Sequence, residues 1–274
     1  MDPVRIGCVK YLNTLPLIEG LASWRDAEVI AAVPAKLIDM LLNHEVDLAL
    51  ASVIDAARNR GRVAILPVGM IGCDGPTMTV RVFSRVPFEQ LHTIGIDTDS
   101  HTSVALMRII MKRRYGTDVQ TIDFDAREHV AIGNKDGTPL EAILLIGDKV
   151  ETDPPDAAIY PHQLDLGEAW KQHTGLPFVY AVWMCRAGEQ DSPAITTAAS
   201  VLDRTRRHNA TRIDWLVAAR AGERGWPLEP ASDYLGRKLK YEVGDREVEA
   251  VDRFVEECAA LGLCEAGELI WVDM

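Results

Sequence analysis

The sequence predicts an α/β protein of two lobes joined by two extended crossings. Strand-like and helix-like runs alternate through the first 160 residues, a pattern typical of βαβ units. Two longer extended runs, 77–85 and 178–184, interrupt the alternation, and an almost entirely helical stretch follows over 192–262. Such an order is expected where a second lobe is inserted into a first, with a hinge between them.

The predicted lobe boundaries follow from the two extended runs. Residues 1–85 and 180–274 form the first α/β lobe with its C-terminal helices, and residues 86–179 form the inserted second lobe. A chain of 274 residues is long enough to bury a core in each lobe. The cleft between two such lobes is a favoured place for a small ligand.

Each element is predicted from its own pattern. In the first lobe the spacing indicates a mainly parallel sheet, with strands at 5–9, 28–33, 47–52 and 63–66 and helices at 15–23, 35–43 and 53–60. The second lobe repeats the pattern with strands at 93–97, 119–123, 142–147 and 157–160 and a helix at 102–115. The helical stretch has breaks near 208–209, 225–230 and 243–244, and 269–272 is consistent with a short last strand.

Composition and charge exclude several classes of protein. The net charge of −12 repels phosphate backbones and anionic lipids, so neither nucleic acid nor membrane is expected as a partner. The five cysteines are scattered without a C-x-x-C pair and the first residues carry no export signal, so we expect reduced thiols and a cytoplasmic protein. The common nucleotide, metal and hydrolase motifs are absent from the sequence, and no cofactor is expected.

The segment at residues 10–17 joins the first strand to the first helix. In open α/β folds this junction, at the carboxyl end of a strand, faces the ligand crevice. Asn13 can both donate and accept hydrogen bonds there, and Pro16 suits a first helical turn. Asn13 is therefore a candidate for ligand binding, and capping of the helix by Asn13 or Thr14 is the alternative.

Residues 97–103 repeat this arrangement in the second lobe. A strand ends, hydroxyl side chains follow, and an apolar-faced helix begins. Free backbone N–H groups and the helix dipole make such a turn a receptor for a carboxylate, to which Ser100, Thr102 and Ser103 add hydroxyl donors. An ordinary serine–threonine cap is the alternative, and Asp97 is expected to bond to the backbone of the turn.

The first crossing brings a third set of candidates. Thr79 and Arg81 alternate with Val80 and Val82, so they lie on one face of the extended run. If that run is a hinge, one of its faces meets the cleft, where a hydroxyl and a guanidinium are both suited to an anionic ligand.

Taken together, these segments resemble the chorismate dehydratase family. Residues 10–17 are similar to its Ser-Tyr-Leu-Asn-x-x-Pro-Leu opening, 74–80 to its Asp-Gly-x-x-x-Ser-Val segment and 97–103 to its Asp-x-x-Ser-x-Thr-Ser turn. The runs LIGD at 145–148, DLGEAW at 165–170 and TGLPFVYAVW at 174–183 complete a match that covers nearly the whole chain. Two positions depart from the family pattern: Lys10 and Thr79 stand where serine is usual.

The resemblance implies a periplasmic-binding-protein-like type II fold and a cofactor-free lyase that opens the futalosine route to menaquinone. The implied reaction removes water from chorismate to give 3-[(1-carboxyvinyl)oxy]benzoate. By the same resemblance Asn13 and Thr79 are the catalytic candidates, and the substrate-binding candidates are Lys10, Tyr11, Arg81, Ser100, Thr102, Ser103, Gly147 and Asp148. No side chain is identified as the general base, and the substrate's own carboxylate is one hypothesis for that role.

Two other functions remain open from the sequence. The same fold serves non-catalytic binding proteins, so a cytoplasmic sensor of a small organic acid is the first alternative. The second is dihydroxynaphthoate synthase, a lyase later in the same pathway, whose sequences open differently from the Tyr-Leu-Asn pattern at residues 11–13. The expected partner of the lyase or the sensor is a small organic acid, and a homodimer is one alternative for the oligomeric state.

Overall fold

Eleven β-strands lie within the part of the chain that the computed structural model describes, residues 3–97, 100–124 and 139–273. They are β1 (Val4–Cys8), β2 (Ala27–Ala31), β3 (Leu48–Ser52), β4 (Val63–Cys73), β5 (Val80–Ser84), β6 (Thr93–Asp97), β7 (Gln120–Phe124), β8 (Ala142–Ile146), β9 (His162–Asp165), β10 (Phe178–Arg186) and β11 (Leu239–Lys240).

The strands form two mixed sheets. The first has the order β11-β4-β10-β3-β1-β2 and the second the order β7-β6-β8-β5-β9. β1 runs parallel to β2 and β3, and β6 runs parallel to β7 and β8. β10 is antiparallel to both of its neighbours, and so is β5. The expectation of a mainly parallel sheet is therefore wrong. Each time the chain crosses to the other sheet, its first strand there, β5 or β10, runs antiparallel to its neighbours.

Ten α-helices accompany the strands in the described residues. They are α1 (Leu15–Ile18), α2 (Pro34–Leu42), α3 (Val53–Arg58), α4 (His101–Ile110), α5 (Lys149–Thr152), α6 (Leu166–Thr174), α7 (Pro193–Ala210), α8 (Ile213–Arg220), α9 (Leu228–Asp233) and α10 (Asp245–Ala260). Two of them continue as single π-helical turns, α4 into Met111–Tyr115 and α9 into Tyr234–Lys238. Helices α3 and α4 follow the parallel strands β3 and β6, at the edge where ligands bind in α/β folds.

The chain changes sheet twice. It leaves the first sheet at the end of β4 and joins the second at Val80, and it returns between α6 and Phe178. β5, which ends at Ser84, therefore pairs in the second sheet, although it precedes residue 86. The division of the chain into lobes 1–85 plus 180–274 and 86–179 stays a prediction.

A shared hydrophobic core lies where the chain returns to the first sheet. Trp170 of α6, Phe178 of β10 and Phe254 of α10 are fully buried and pack edge to face, with ring centroids 5.1 to 6.1 Å apart. The three rings come from both sides of the crossing, and burying large aromatic rings in this way is strongly stabilising. The core therefore fixes how the two sheets meet at one side of the cleft.

Two predicted strands differ from the observed structure. The strand expected at 157–160 is a turn closed by hydrogen bonds from Ile159 and Tyr160 to the Asp156 carbonyl, and the strand follows as β9. Residues 269–272 contribute only an isolated bridge between Trp271 and Ile65. Helix α6 and the two-residue strand β11 were not predicted. β11 depends on its pairing with β4, which is distant in sequence, whereas α6 has the local signals of an Asp165 N-cap and a Gly175 C-cap.

Candidate functional site

A pocket lies between the two sheets, in the position where small-molecule sites are common in two-lobed proteins. Its walls come from both sheets and from the segments that follow their strands. The polar side chains that line it are Tyr11, Asn13, Ser52, Thr77, Thr79, Ser100, Ser103, Tyr180 and Tyr234. No Asp, Glu, Lys or Arg side chain is among the described residues that line it.

Asn13 reaches the pocket because the chain turns sharply after β1. A short 3₁₀ turn, Leu12–Thr14, leads into α1 with Pro16 in its first turn. Neither helical start has a side-chain cap, so the capping alternative for Asn13 and Thr14 is not what the structure shows. Asn13 Oδ1 accepts a hydrogen bond of 3.2 Å from Thr14 Oγ1, which leaves its amide nitrogen for other partners.

Thr79 lies at the end of the first crossing and is almost completely buried. Its hydroxyl oxygen is 2.6 Å from the hydroxyl of Tyr234, in the π-helical turn after α9. Burial raises the pKa of Tyr234, against the lowering effects of Thr79 and Asn13. This hydroxyl therefore stays protonated, and it joins the two catalytic candidates in one polar cluster.

A second hydroxyl pair lies on the same crossing. Thr77 Oγ1 is 2.6 Å from the Tyr180 hydroxyl and 3.2 Å from Cys73 Sγ. Between the two threonines, Met78 has a left-handed φ of +70°, a costly conformation for a residue with a side chain. The Asp165 carboxylate accepts hydrogen bonds from the backbone N–H groups of Thr77 and Met78, at 2.9 and 2.8 Å, and so holds this turn in place.

The turn before α4 places two of its three hydroxyl candidates in the pocket. Ser100 caps the helix, accepting from the Ser103 backbone N–H at 3.3 Å, and its own hydroxyl donates to Ser103 Oγ at 2.9 Å. Capping and pocket lining thus coexist at Ser100. Thr102 is instead turned toward α3, where its hydroxyl accepts a 3.4 Å hydrogen bond from the Ile54 N–H. The side chain of Asp97 and residues 98–99 lie outside the described residues.

Gly147 closes the pocket from the second sheet, and Asp148 follows it in the chain. Gly147 has a φ of +75°, and a Cβ there would lie 3.3 Å from the Tyr11 ring, so glycine fits both the turn and the contact. The Asp148 carboxylate does not line the pocket but accepts from the Leu12 N–H at 3.2 and 3.3 Å, joining the two lobes. Burial raises the pKa of Asp148, against the Trp226 indole, the Leu12 N–H and the charge of Arg224.

The two basic candidates lie outside the pocket lining. Lys10 is exposed at the outer end of the segment whose Tyr11 and Asn13 line the pocket. The Arg81 guanidinium is 3.2 Å from Glu151 and 3.9 Å from Asp165, so its charge is balanced by neighbouring carboxylates of the second sheet and the helix that follows β8. The structure therefore brings together Tyr11, Asn13, Thr79, Ser100, Ser103 and Gly147, and it leaves Lys10, Arg81, Thr102 and Asp148 around them.

Four polar residues of the pocket were not among the sequence candidates: Ser52, Thr77, Tyr180 and Tyr234. Thr77 and Tyr180 fall inside the segments that carry the family resemblance, so the motifs contained a signal for them. Ser52 and Tyr234 lie outside those segments.

In the part of the chain that the structure describes, no group of three or more His, Cys, Asp or Glu side chains is arranged to hold a metal ion. None of the described helices has both the length and the apolar character needed to cross a bilayer.

Two mixed sheets, two crossings and a pocket between them define a periplasmic-binding-protein-like fold, as the sequence resemblance implied. A Candida albicans protein, described as exhibiting the generic periplasmic binding protein fold, matches with a TM-score of 0.70 over 98% of this chain and 92% of its own, at 12% identity. That likeness shows the fold alone, because folds of this kind host many functions.

The family follows from the sequence comparisons. A family model described as menaquinone biosynthesis matches residues 4–260, and the chain belongs to this family. The chorismate dehydratase of Thermus thermophilus is 29% identical over 244 residues, covering 82% of this chain and 84% of the relative. The chorismate dehydratase of Campylobacter jejuni is 25% identical over 268 residues, covering 94% and 98%. The resemblance to the chorismate dehydratase family is confirmed.

Proposed function

We propose that this protein is a lyase that removes water from chorismate to give 3-[(1-carboxyvinyl)oxy]benzoate. The observation that carries the proposal is the convergence, in a member of this family, of Asn13, Thr79, Ser100 and Ser103 on one pocket between two lobes. Three segments distant in sequence supply these residues, and each segment carries one of the family motifs.

The start of α4 is the proposed carboxylate receptor. Its backbone N–H groups and dipole favour an anion, and the Ser100 and Ser103 hydroxyls lie against the pocket there. The described lining holds no charged side chain, so hydroxyl groups and oriented backbone would bind the substrate's charge. Such a neutral wall avoids burying an unpaired protein charge when the pocket is empty.

Asn13 and Thr79 are the proposed reacting centre. The reaction breaks a ring C–H bond and the C–O bond of the allylic hydroxyl, and formation of a benzene ring drives it. Asn13 would orient the substrate and hydrogen-bond to charge as it develops, and Thr79 would contact the departing hydroxyl. The proton from the ring is assigned to the substrate's own carboxylate, since the described pocket wall offers neither a carboxylate nor an imidazole.

The test is turnover of chorismate by the purified protein, followed by chromatography with mass detection. We expect a new aromatic acid lighter by one water, and Asn13→Ala should lower kcat about a hundredfold, as loss of an oriented donor does. Asn43→Ala, at an exposed position beyond α2, is the matched control and should turn over like the wild type.

The outcomes separate this lyase from the other functions considered. Unchanged chorismate with a clear rise in melting temperature would favour a non-catalytic binder or sensor of small acids. If chorismate were not converted and also did not stabilise the protein, both the lyase and the small-acid binder would be contradicted. The cytoplasmic location and the oligomeric state, including a homodimer, stay predictions from the sequence.

A further inference from the structure

Tyr234 is held in place by an irregular helical turn and by a stacked aromatic ring. It lies in the π-helical turn Tyr234–Lys238, an irregularity often found at functional sites. Its side chain is fully buried, and its ring stacks on Trp226 with centroids 5.0 Å apart and planes within 5°. Trp226 is itself buried, so the position of the Tyr234 hydroxyl is fixed by packing on the face of its ring.

The direction of the hydrogen bond between Tyr234 and Thr79 follows from the chemistry of the two hydroxyls. A phenol is a far stronger acid than an aliphatic alcohol, so it is the better donor of the pair. The Tyr234 proton is therefore directed to Thr79 Oγ1, which lies 2.6 Å from the phenol oxygen.

Thr79 then has its own proton free for the pocket that it lines. A threonine hydroxyl rotates about its Cβ–Oγ1 bond and would otherwise share its proton among several acceptors. With one lone pair occupied by the Tyr234 proton, the Thr79 O–H is left to point toward a ligand. Resting on the proposed function, we propose that Tyr234 is a positioning residue that orients the Thr79 hydroxyl toward the departing hydroxyl of chorismate.

The proposed role leaves the balance of the elimination unchanged. The C–H electron pair forms the new ring double bond, and the C–O pair leaves with the hydroxyl oxygen. The ring proton goes to the substrate's own carboxylate, and the carboxylic acid so formed gives up a proton that completes the departing hydroxide as water. Thr79 stabilises the charge that grows on that oxygen by a hydrogen bond made in the transition state. Tyr234 acts only through Thr79 and does not touch the substrate in this scheme.

The test is a double-mutant cycle of Tyr234→Phe and Thr79→Val with chorismate as substrate. Tyr234→Phe keeps the ring and its stacking, and we expect kcat to fall roughly tenfold with KM nearly unchanged, the size expected for one lost buried hydrogen bond. In the Thr79→Val background the same substitution should change kcat by less than about twofold, because the group it acts through is gone. Tyr160→Phe is the control, since its buried hydroxyl donates to the Leu140 carbonyl away from the pocket.

The outcomes are distinct. Wild-type protein that does not convert chorismate overturns the proposed function, and this role with it. If the wild type is active, additive effects of the two substitutions would overturn the positioning role and leave the function standing. All variants are assayed well below their melting temperatures, because a loss of folded protein would lower activity in both backgrounds alike and so imitate additive effects.

Discussion

At the scale of single residues, the site relies on hydroxyl groups held by other hydroxyl groups. Thr79 stands where the family usually has serine, and both side chains offer a hydroxyl oxygen to Tyr234. The extra methyl of threonine restricts its rotamers, which favours one orientation of Oγ1 in a buried position. The hydroxyl and not the methyl should therefore decide activity.

Thr79→Val and Thr79→Ser separate these two contributions. Valine has the shape of threonine without the hydroxyl, and we expect it to lower kcat about a hundredfold through loss of a hydrogen bond made in the transition state. Serine should keep kcat within about threefold of the wild type, since it retains the donor. Steady-state kinetics with chorismate measure both, and Thr197→Val, at an exposed position of α7, is the control. A valine variant as active as the serine variant would remove Thr79 from the reacting centre.

Residue positions at the pocket were predictable where a motif fixes the backbone and not where a distant partner decides. Asn13, Ser100 and Ser103 follow strands directly, so the ends of those strands place them at the cleft. Arg81 lies on the predicted crossing, but Glu151, 70 positions later in the chain, neutralises its guanidinium. Tyr234 is 155 residues from Thr79, and no local pattern indicates that pairing.

At the scale of elements, the starts of α3 and α4 meet across the two lobes. The Thr102 hydroxyl accepts from the Ile54 N–H, and His101 Nδ1 is 2.8 Å from the buried Asp55 carboxylate. These bonds join a helix of the first sheet to one of the second, next to the pocket wall formed by Ser52 and Ser100. They are expected to favour the closed arrangement of the lobes.

Thr102→Val removes the acceptor for the Ile54 N–H while conserving volume. Because Thr102 does not line the pocket, we expect KM to rise roughly fivefold, the equivalent of about 1 kcal/mol, with kcat nearly unchanged. Thr102→Ser keeps the hydroxyl and should behave like the wild type. Steady-state kinetics measure KM, and small-angle X-ray scattering of the free protein should show a larger radius of gyration for the valine variant. A lower kcat at constant KM would instead give Thr102 a part in the reaction itself.

Elements with a strong local signal were predicted well, and those defined by long-range pairing were not. α4 begins after a serine cap and carries a regular apolar face, so both its position and its start were evident. β9 was expected five residues too early, because its position depends on pairing with β5, about 80 residues away. β11 has only two residues and exists through its pairing with β4.

At the scale of the whole molecule, two contacts on different segments connect the lobes around the pocket. One is the meeting of α3 and α4, and the other is the Asp148 carboxylate on the Leu12 N–H. The second contact contains a buried acid, and burial raises its pKa, against the Trp226 indole, the Leu12 N–H and the charge of Arg224. The strength of this connection should therefore depend on pH.

The sign of that dependence follows from the raised pKa. In the unfolded chain Asp148 loses its proton near its ordinary pKa of about 3.9, whereas in the folded protein it keeps the proton to higher pH. Within that window the folded state binds more protons, so the free energy of unfolding falls as pH rises from about 4 through the folded pKa. Above the window the cost of the buried charge is fully present.

Asp148→Asn should remove this part of the pH dependence. An asparagine oxygen still accepts from the Leu12 N–H but carries no charge, so the variant should gain stability relative to the wild type as pH rises through the window. Denaturant unfolding between about pH 4 and pH 8 measures the difference, with Asp26→Asn at an exposed position as the control. If the wild type instead gained stability over Asp148→Asn with rising pH, the carboxylate would be stabilised as an anion in the fold. Asp148 would then hold the lobes together by its charge, and the cleft would be tightest at neutral pH.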